Sequence, residues 1–122
     1  MDEIIRVSDG LMIARGDLGI ETPLEKLPIL QKNIIRHCHW HNTPAIIATQ
    51  MMASMVNLPH PTRAEVSDVA NGIFDGADCL MLSEETAMGK YPVLVVEKMR
   101  KIIESTESYL SKDDLFENFF VD

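Results

Sequence analysis

A carboxylate between two glycines follows the first apolar run of this sequence and is the clearest candidate for a functional residue. Asp17 lies in the segment Arg15–Gly19, directly after the run Leu11–Ala14. Glycine has no Cβ, so the backbone N–H at Gly16 can approach a small anion closely. The alternative interpretation is that Asp17 caps the next turn, while Gly16 and Gly19 only supply positive φ angles.

Two further polar segments also follow apolar runs. Thr49 is the first polar residue after the second run, and Ser83 with Glu85 follows the third. Mg²⁺ prefers one or two carboxylates and completes its octahedron with substrate and water oxygens. Because Asp17 is the one clear ligand, the sequence predicts at most part of a magnesium site. Ordinary turn chemistry is the alternative for Thr49 and Ser83.

Three histidines crowd one predicted helix. His37 and His41 have the i, i+4 spacing that can hold a metal, with His39 between them. No third ligand is close in sequence, so we expect these side chains to pack or to interact with the helix C-terminus. The sequence contains no P-loop, G-x-G-x-x-G or C-x-x-C pattern, which leaves the common nucleotide and zinc motifs unrepresented.

Three short apolar runs must position these residues. They begin 34 residues apart and comprise Leu11–Ala14, Ala45–Ala48 and Cys79–Leu82. Nearly continuous apolar character is typical of parallel strands that are covered on both faces. A helical pattern follows each run, so the sequence predicts an α/β fold of three consecutive βα units. The carboxyl ends of such strands share one edge, which would bring the polar segments to one mouth.

Local signals place the helix boundaries. Thr62, with Glu65 three residues later, forms a capping-box pattern, and Gly76 is a stop signal. The other predicted boundaries are starts at Thr22-Pro23 and Tyr91-Pro92 and a stop within residues 41–44.

Composition excludes several classes of partner. The net charge of −8 argues against nucleic acid, because phosphate binding needs clustered Lys and Arg. No run of 18 apolar residues predicts a membrane span, and Met1–Gly10 lacks the apolar region of a secretory signal. Cys38 and Cys79 are expected to be buried, reduced thiols, which favours a cytoplasmic location.

Three parallel strands leave two open edges, so the sequence predicts part of a larger (β/α)₈ TIM barrel with parallel strands, or a chain that must assemble. Residues 1–110 are predicted to form this partial barrel domain, with upstream strands lacking. Residues 111–122 form an acidic tail that contains Phe116, Phe119 and Phe120. A homo-oligomer or a complementing barrel fragment would cover the open edges.

Four motifs together resemble pyruvate kinase. They are SDGLMIARGDLG at 8–19, ATQM at 48–51, PTRAEVSDVAN at 61–71 and DGADCLMLS at 75–83, which continues into ETA at 85–87. The resemblance covers nearly everything from residue 2 to about 110. It implies the C-terminal part of the catalytic barrel domain, from strand 6 through helix 8.

The resemblance implies substrate and metal roles for three residues. Asp17 would be one of two carboxylates that hold Mg²⁺ or Mn²⁺. The N–H groups of Gly16 and Asp17, at the start of a short helix, would bind the substrate carboxylate, as helix N-termini bind anions. Thr49 would lie beside the reacting enolate.

Four other residues take supporting roles by the same resemblance. Ser83 with Glu85 would line the floor of the site near the proton-transfer path. Arg15 and Arg63 would brace the site and the interface between barrels. Glu84 replaces a small residue at a variable position of the motif, which weakens the resemblance little.

The family transfers phosphate from phosphoenolpyruvate to ADP, giving pyruvate and ATP in glycolysis, with Mg²⁺ and K⁺. Its second metal carboxylate and its catalytic lysine lie upstream, in a segment that this chain lacks. Phosphoryl transfer depends on positioning and charge neutralisation, so the chain alone is expected to be inactive, as a truncated gene product or a segment of a split kinase. Two alternatives stay open: a non-catalytic half-barrel interaction or oligomerisation module, and a Mg²⁺-dependent aldolase-like barrel of the pyruvate-enolate type.

Overall fold

The computed structural model describes residues 1–111, so residues 112–122 of the predicted tail, with its three phenylalanines, lie outside the described residues. Two short 3-10 turns, Leu24–Lys26 and Ala53–Val56, accompany the regular elements. In chain order these are α1 (Asp2–Arg6), β1 (Leu11–Ala14), α2 (Arg15–Glu21), α3 (Leu27–Trp40), β2 (Ala45–Ala48), α4 (Arg63–Asp75), β3 (Cys79–Leu80), α5 (Glu84–Ala87) and α6 (Pro92–Leu110).

The three strands form one parallel sheet in the order β1-β2-β3. Leu11 is level with Ala45, and Ile46 is level with Cys79. The predicted α/β class with consecutive parallel βα units is therefore confirmed. The third strand is shorter than the predicted run, because β3 ends at Leu80, although the N–H of Met81 still donates to Ile47 O at 2.8 Å.

The helices pack on the sheet around one apolar core. Gly72 on α4 shows how closely they approach, since a Cβ there would lie 2.9 Å from Ile47 Cδ1 and 3.1 Å from Leu80 Cδ2. A residue with a side chain at this position would have to displace the ends of the Ile47 and Leu80 side chains. The core combines buried residues of the sheet and of the helices: Ile13, Ile35, Cys38, Ile47, Val69, Val95 and Met99.

Only the central strand is buried as the sequence predicts. In β1, Met12 is 50% exposed, and in β3 Cys79 is exposed. The prediction of two buried thiols is therefore wrong for Cys79, because β3 is an edge strand of the described sheet. Cys38 is buried as expected, and burial, with a smaller contribution from Asp78, raises the pKa of its thiol.

The predicted helix boundaries are confirmed where the capping hydrogen bonds join residues close in sequence. The capping box of Thr62 and Glu65 is present, and Gly76 ends α4 with a φ of 97°. The predicted start at Thr22-Pro23 was wrong, because a 3-10 turn comes first and α3 begins at Leu27. A second proline, Pro28, lies in the first turn of α3, where a missing N–H costs nothing.

Glu65 connects the start of α4 to the segment that follows β2. Its carboxylate accepts hydrogen bonds from the N–H of Thr62 and the N–H of Ser54, each 2.8 Å long, and from the hydroxyl of Ser54. Burial acts to raise the pKa of Glu65, but the hydrogen bonds from Ser54 and Thr62 outweigh it and hold the pKa below its ordinary value.

Glu65→Gln is expected to lower the free energy of unfolding by about 1 kcal/mol at pH 7, because the amide cannot accept all three hydrogen bonds. A carboxylate with a lowered pKa stabilises the fold above its unfolded pKa, and this stabilisation is lost as the pH falls through the folded pKa. The difference between the two proteins should therefore shrink below about pH 4. Urea unfolding at pH 7 and pH 3.5 measures this, with the exposed Glu97→Gln as control. An equal loss in both variants would contradict the prediction.

Candidate functional site

Asp17 lies in the first turn of a short helix that begins directly after β1. Helix α2 spans Arg15–Glu21, and its first turn is acidic through Asp17 alone. Negative charge is favoured at a helix N-terminus. The alternative in which Gly16 and Gly19 supply positive φ angles is wrong, because both are helical and, within residues 1–111, the glycine with a positive φ is Gly76.

Thr49 follows β2 in a left-handed backbone conformation. Its φ is 73°, and that of the next residue, Gln50, is 54°. This region is uncommon for any residue with a Cβ and is disfavoured for a β-branched one. Such a backbone costs on the order of 1–3 kcal/mol and persists only where the surrounding contacts determine it.

The first two polar segments meet at the carboxyl ends of adjacent strands. The N–H of Gly16 donates to Thr49 Oγ1 at 3.0 Å. A Cβ on Gly16 would lie 3.7 Å from the same oxygen, which is ordinary contact. The predicted substrate-binding residues Gly16 and Thr49 are thus direct neighbours, and Asp17 is the next residue along α2.

Arg15 holds the backbone on either side of Thr49. Its Nε donates to Ala48 O at 3.3 Å, and its Nη2 donates to Thr49 O at 2.8 Å. The guanidinium also forms a bidentate ion pair with Asp68 on α4, at 2.7 Å and 2.8 Å, and it contacts Met51 Sδ at 3.0 Å. Arg15 therefore joins α2, the segment after β2, and α4.

Asp68 is a residue of this site that the sequence reasoning missed. It lies 53 residues after Arg15, and no local pattern pairs the two. The available signal was opposite charge within two of the four motifs, which becomes specific only when the sheet brings β1 and α4 together.

Ser83 and Glu85 bond to each other rather than to Thr49. The N–H of Ser83 donates to Glu85 Oε2 at 3.2 Å, and Glu85 is only 2% exposed. Helix α5 packs against the 3-10 turn Ala53–Val56, where the N–H of Lys90 donates to Val56 O at 2.9 Å. The pair is thus connected to the polar segment after β2 through that turn.

Arg63 is the first residue of α4 and is exposed. A cation at a helix N-terminus opposes the helix dipole, so this position gains nothing from the charge within α4. The hydrogen bonds that join Arg15, Thr49 and Asp68 do not include it.

The described residues contain no group of three or more His, Cys, Asp or Glu side chains that could hold a metal ion. Asp17 is accordingly a single candidate ligand.

The predicted histidine cluster lies against α1. The Asp2 carboxylate is 2.7 Å from His37 Nδ1 and 3.6 Å from His41 Nε2. The hydrogen bond with His37 holds the pKa of Asp2 below its ordinary value. Asp2, His37 and His41 thus connect α1 to α3.

Within residues 1–111, every helix is too short or too polar to cross a membrane.

The comparisons with known proteins agree on one family. The family model described as the pyruvate kinase barrel domain matches residues 1–96. The chain is 52% identical over 110 residues to a pyruvate kinase of Thermotoga maritima, covering 90% of this chain and 24% of that protein. It is 59% identical over 108 residues to a pyruvate kinase of Thermococcus litoralis, covering 88% and 23%. The chain spans at most about a quarter of the length of these relatives. The chain belongs to the pyruvate kinase family.

Proposed function

We propose that this chain forms strand 6 through helix 8 of a pyruvate kinase barrel and supplies the enolate side of a site that transfers phosphate from phosphoenolpyruvate to ADP. The observation that carries the proposal is the contact of Gly16 with Thr49, beside Asp17, at the carboxyl ends of two adjacent parallel strands. In barrels of this type the site is built from the segments at those strand ends.

Thr49 is proposed to act on the enolate through its hydroxyl hydrogen. The oxygen Oγ1 accepts from the N–H of Gly16, so its own hydrogen remains available to donate to an oxygen or carbon of the substrate. The left-handed backbone fixes the direction of this side chain. Thr49 therefore orients the substrate and can carry a proton near the enolate.

Asp17 is proposed to supply one oxygen ligand to Mg²⁺ or Mn²⁺, which would neutralise charge on the substrate oxygens when bound. The exposed carboxylate in the first turn of α2 suits a hard cation. One carboxylate does not complete such a site, so the second ligand, the catalytic lysine, and the residues for K⁺ and nucleotide come from outside this chain. The N–H of Asp17 is proposed to bind the substrate carboxylate together with the N–H of Gly16, whose hydrogen would be shared between Thr49 Oγ1 and the substrate.

The remaining residues are proposed to shape and support the site. Ser83 and the buried Glu85 form its floor near the proton-transfer path, and their mutual hydrogen bond supports this role. Arg15 braces the site through Thr49. Arg63, exposed and unfavourable to its own helix, is proposed to contact a neighbouring barrel.

The wider setting follows from the same proposal. Residues 1–110 would form part of the barrel of a cytoplasmic glycolytic enzyme, with residues 111–122 as a tail outside it. A second copy or a complementing barrel fragment would cover the open edges of β1 and β3. A non-catalytic oligomerisation module is the second candidate, and the exposure of Met12 and Cys79 on those edge strands favours it. An aldolase-like barrel has no observation in its favour beyond a single carboxylate.

A chimera tests the function. The matching 110-residue segment of the Thermotoga maritima enzyme is replaced by the corresponding residues of this chain, and phosphate transfer from phosphoenolpyruvate to ADP is measured with Mg²⁺ and K⁺. We expect kcat within about tenfold of the parent enzyme, on the order of 10 s⁻¹. The isolated chain is the control and should show no transfer above background. A chimera that folds with the parent's Tm but is inactive would contradict the proposed function, and an active isolated chain would contradict its dependence on outside residues.

A further inference from the structure

Two consecutive residues with positive φ form the segment that follows β2. Thr49 and Gln50 both have Cβ atoms and both adopt the left-handed region. Such a backbone reverts to more favourable angles unless contacts hold it. Contacts from outside the segment must therefore determine its conformation.

The guanidinium of Arg15 holds both peptide groups of Thr49. Ala48 O belongs to the peptide that precedes Thr49, and Thr49 O belongs to the peptide that follows it. Arg15 donates to both, through Nε and Nη2. Hydrogen bonds to the two flanking peptides restrain φ and ψ of Thr49 together. The side chain is restrained from a third direction by the N–H of Gly16.

Arginine is long and flexible, so its own direction must be determined by something else. Asp68 accepts two parallel hydrogen bonds from Nη1 and Nη2, which fixes the plane of the guanidinium. The Arg15 side chain is only 14% exposed, so this charge lies largely away from solvent. With Asp68 in place, Nε and Nη2 of the guanidinium point at Ala48 O and Thr49 O.

We propose that Asp68 is a positioning residue for Thr49, acting through Arg15 and touching no reacting atom. The expected loss of kcat rests on the proposed function, whereas the expected displacement of the Thr49 hydroxyl does not. Asp68→Asn preserves the shape of the side chain, removes its charge, and turns an amide NH₂ toward the donors of Arg15. The Arg15 guanidinium then loses its fixed orientation, and the hydroxyl of Thr49 moves relative to the N–H of Gly16.

The kinetic arm uses the active chimera. Asp68→Asn is expected to lower kcat by about 10- to 100-fold, because small displacements of a reacting group have effects of this size. KM for phosphoenolpyruvate should change by less than about threefold, since the proposed contacts of the Gly16 and Asp17 backbone with the substrate carboxylate stay in place. In the double variant with Thr49→Ala, kcat should fall no further than in the more impaired single variant, as expected when one residue acts through the other.

Asp75→Asn is the matched control. Asp75 is also a carboxylate of α4, but it pairs with α3, through Lys32 and through Gln31 Nε2 at 3.0 Å, and it forms no hydrogen bond with Arg15 or Thr49. Its loss should change Tm as much as the loss of Asp68 while kcat stays within about twofold of the unsubstituted chimera. Equal losses of kcat in the two variants would overturn the proposal, as would full additivity of Asp68→Asn with Thr49→Ala.

The structural arm uses the 122-residue chain labelled with ¹⁵N at its six glycines. The amide resonance of Gly16 reports the hydrogen bond to Thr49 Oγ1. It should shift in Asp68→Asn and stay in place in Asp75→Asn. An unmoved Gly16 resonance in Asp68→Asn would overturn the proposal. This measurement needs no turnover. An inactive chimera would therefore count against the proposed function, and the shift of the Gly16 amide resonance in Asp68→Asn would still test the positioning role.

Discussion

Asp17→Asn in the active chimera is expected to lower kcat by about 10³-fold or more and to weaken Mg²⁺ binding. Asparagine has nearly the same shape as aspartate but carries no charge, and a hard cation gains much of its affinity from charged oxygen ligands. Steady-state kinetics and a calorimetric Mg²⁺ titration measure the two losses.

Two variants separate this role from simple loss of charge. Asp9→Asn removes an exposed carboxylate just before β1, at the opposite end of that strand from Asp17, and should leave both quantities unchanged. Thr49→Ala should leave Mg²⁺ affinity intact and lower kcat, because the hydroxyl is proposed to act on substrate rather than metal. Unchanged activity and metal affinity in Asp17→Asn would show that the metal assignment is wrong.

The isolated chain is expected to associate rather than remain a monomer of 13.7 kDa. The outer edges of β1 and β3 have no strand beside them in the described sheet. Free edges and exposed apolar surface both favour association. Each edge adjoins a groove with a largely apolar lining. The first is lined by Leu11, Met12, Ile13, Ala14, Leu18 and Ile34 with Asp17, and the second by Leu80, Leu82, Val96, Met99 and Ile103 with Thr86, Arg100, Glu104 and Glu107. The net charge of −8 opposes open-ended aggregation, so a dimer or small oligomer should form.

Light scattering measures the association, and one lysine substitution tests its cause. Met12→Lys places a charge on the exposed edge strand β1, a device that blocks edge-to-edge pairing. It should shift the chain toward monomer. Met88→Lys is the control, because Met88 is 75% exposed but directly follows α5 and belongs to no strand. A monodisperse, cooperatively unfolding monomer of the unsubstituted chain would contradict the prediction and favour a self-sufficient module.

The elements that the sequence predicted well depend on contacts within a few residues. The capping box of Thr62 with Glu65 and the stop at Gly76 involve neighbours along one helix, so spacing alone identifies them. The repeat of apolar runs located all three strands. It also placed Ala45 and Cys79 at corresponding positions, whereas the structure pairs Cys79 with Ile46, one residue further along. Register depends on side-chain packing between strands, which a repeat length does not contain.

What the sequence left undetermined depends on distant neighbours. The exposure of Cys79 follows from the edge position of β3, which an apolar run cannot reveal. The left-handed backbone of Thr49 is equally hidden, because threonine has no preference for that region. Asp68 is one of three carboxylates of α4, and only the fold brings it to Arg15. The position after an apolar run singled out the candidate residues Asp17, Thr49, Ser83 and Glu85, the resemblance implied their roles, and the structure added the contacts of Thr49 with Gly16 and Arg15.

The hydrogen bonds of Arg15 also imply an order of assembly. They join residues that are 33, 34 and 53 positions apart in the chain, whereas α3, α4 and α6 are held by bonds between near neighbours. Closing long loops costs entropy before the contacts that reward it can form. We therefore expect helical turns to form while β1, β2 and α4 are still undocked, and Thr49 to adopt its left-handed backbone only after they dock. A form in which Asp68 has not reached Arg15 lacks the contacts of the candidate site, whatever its helix content.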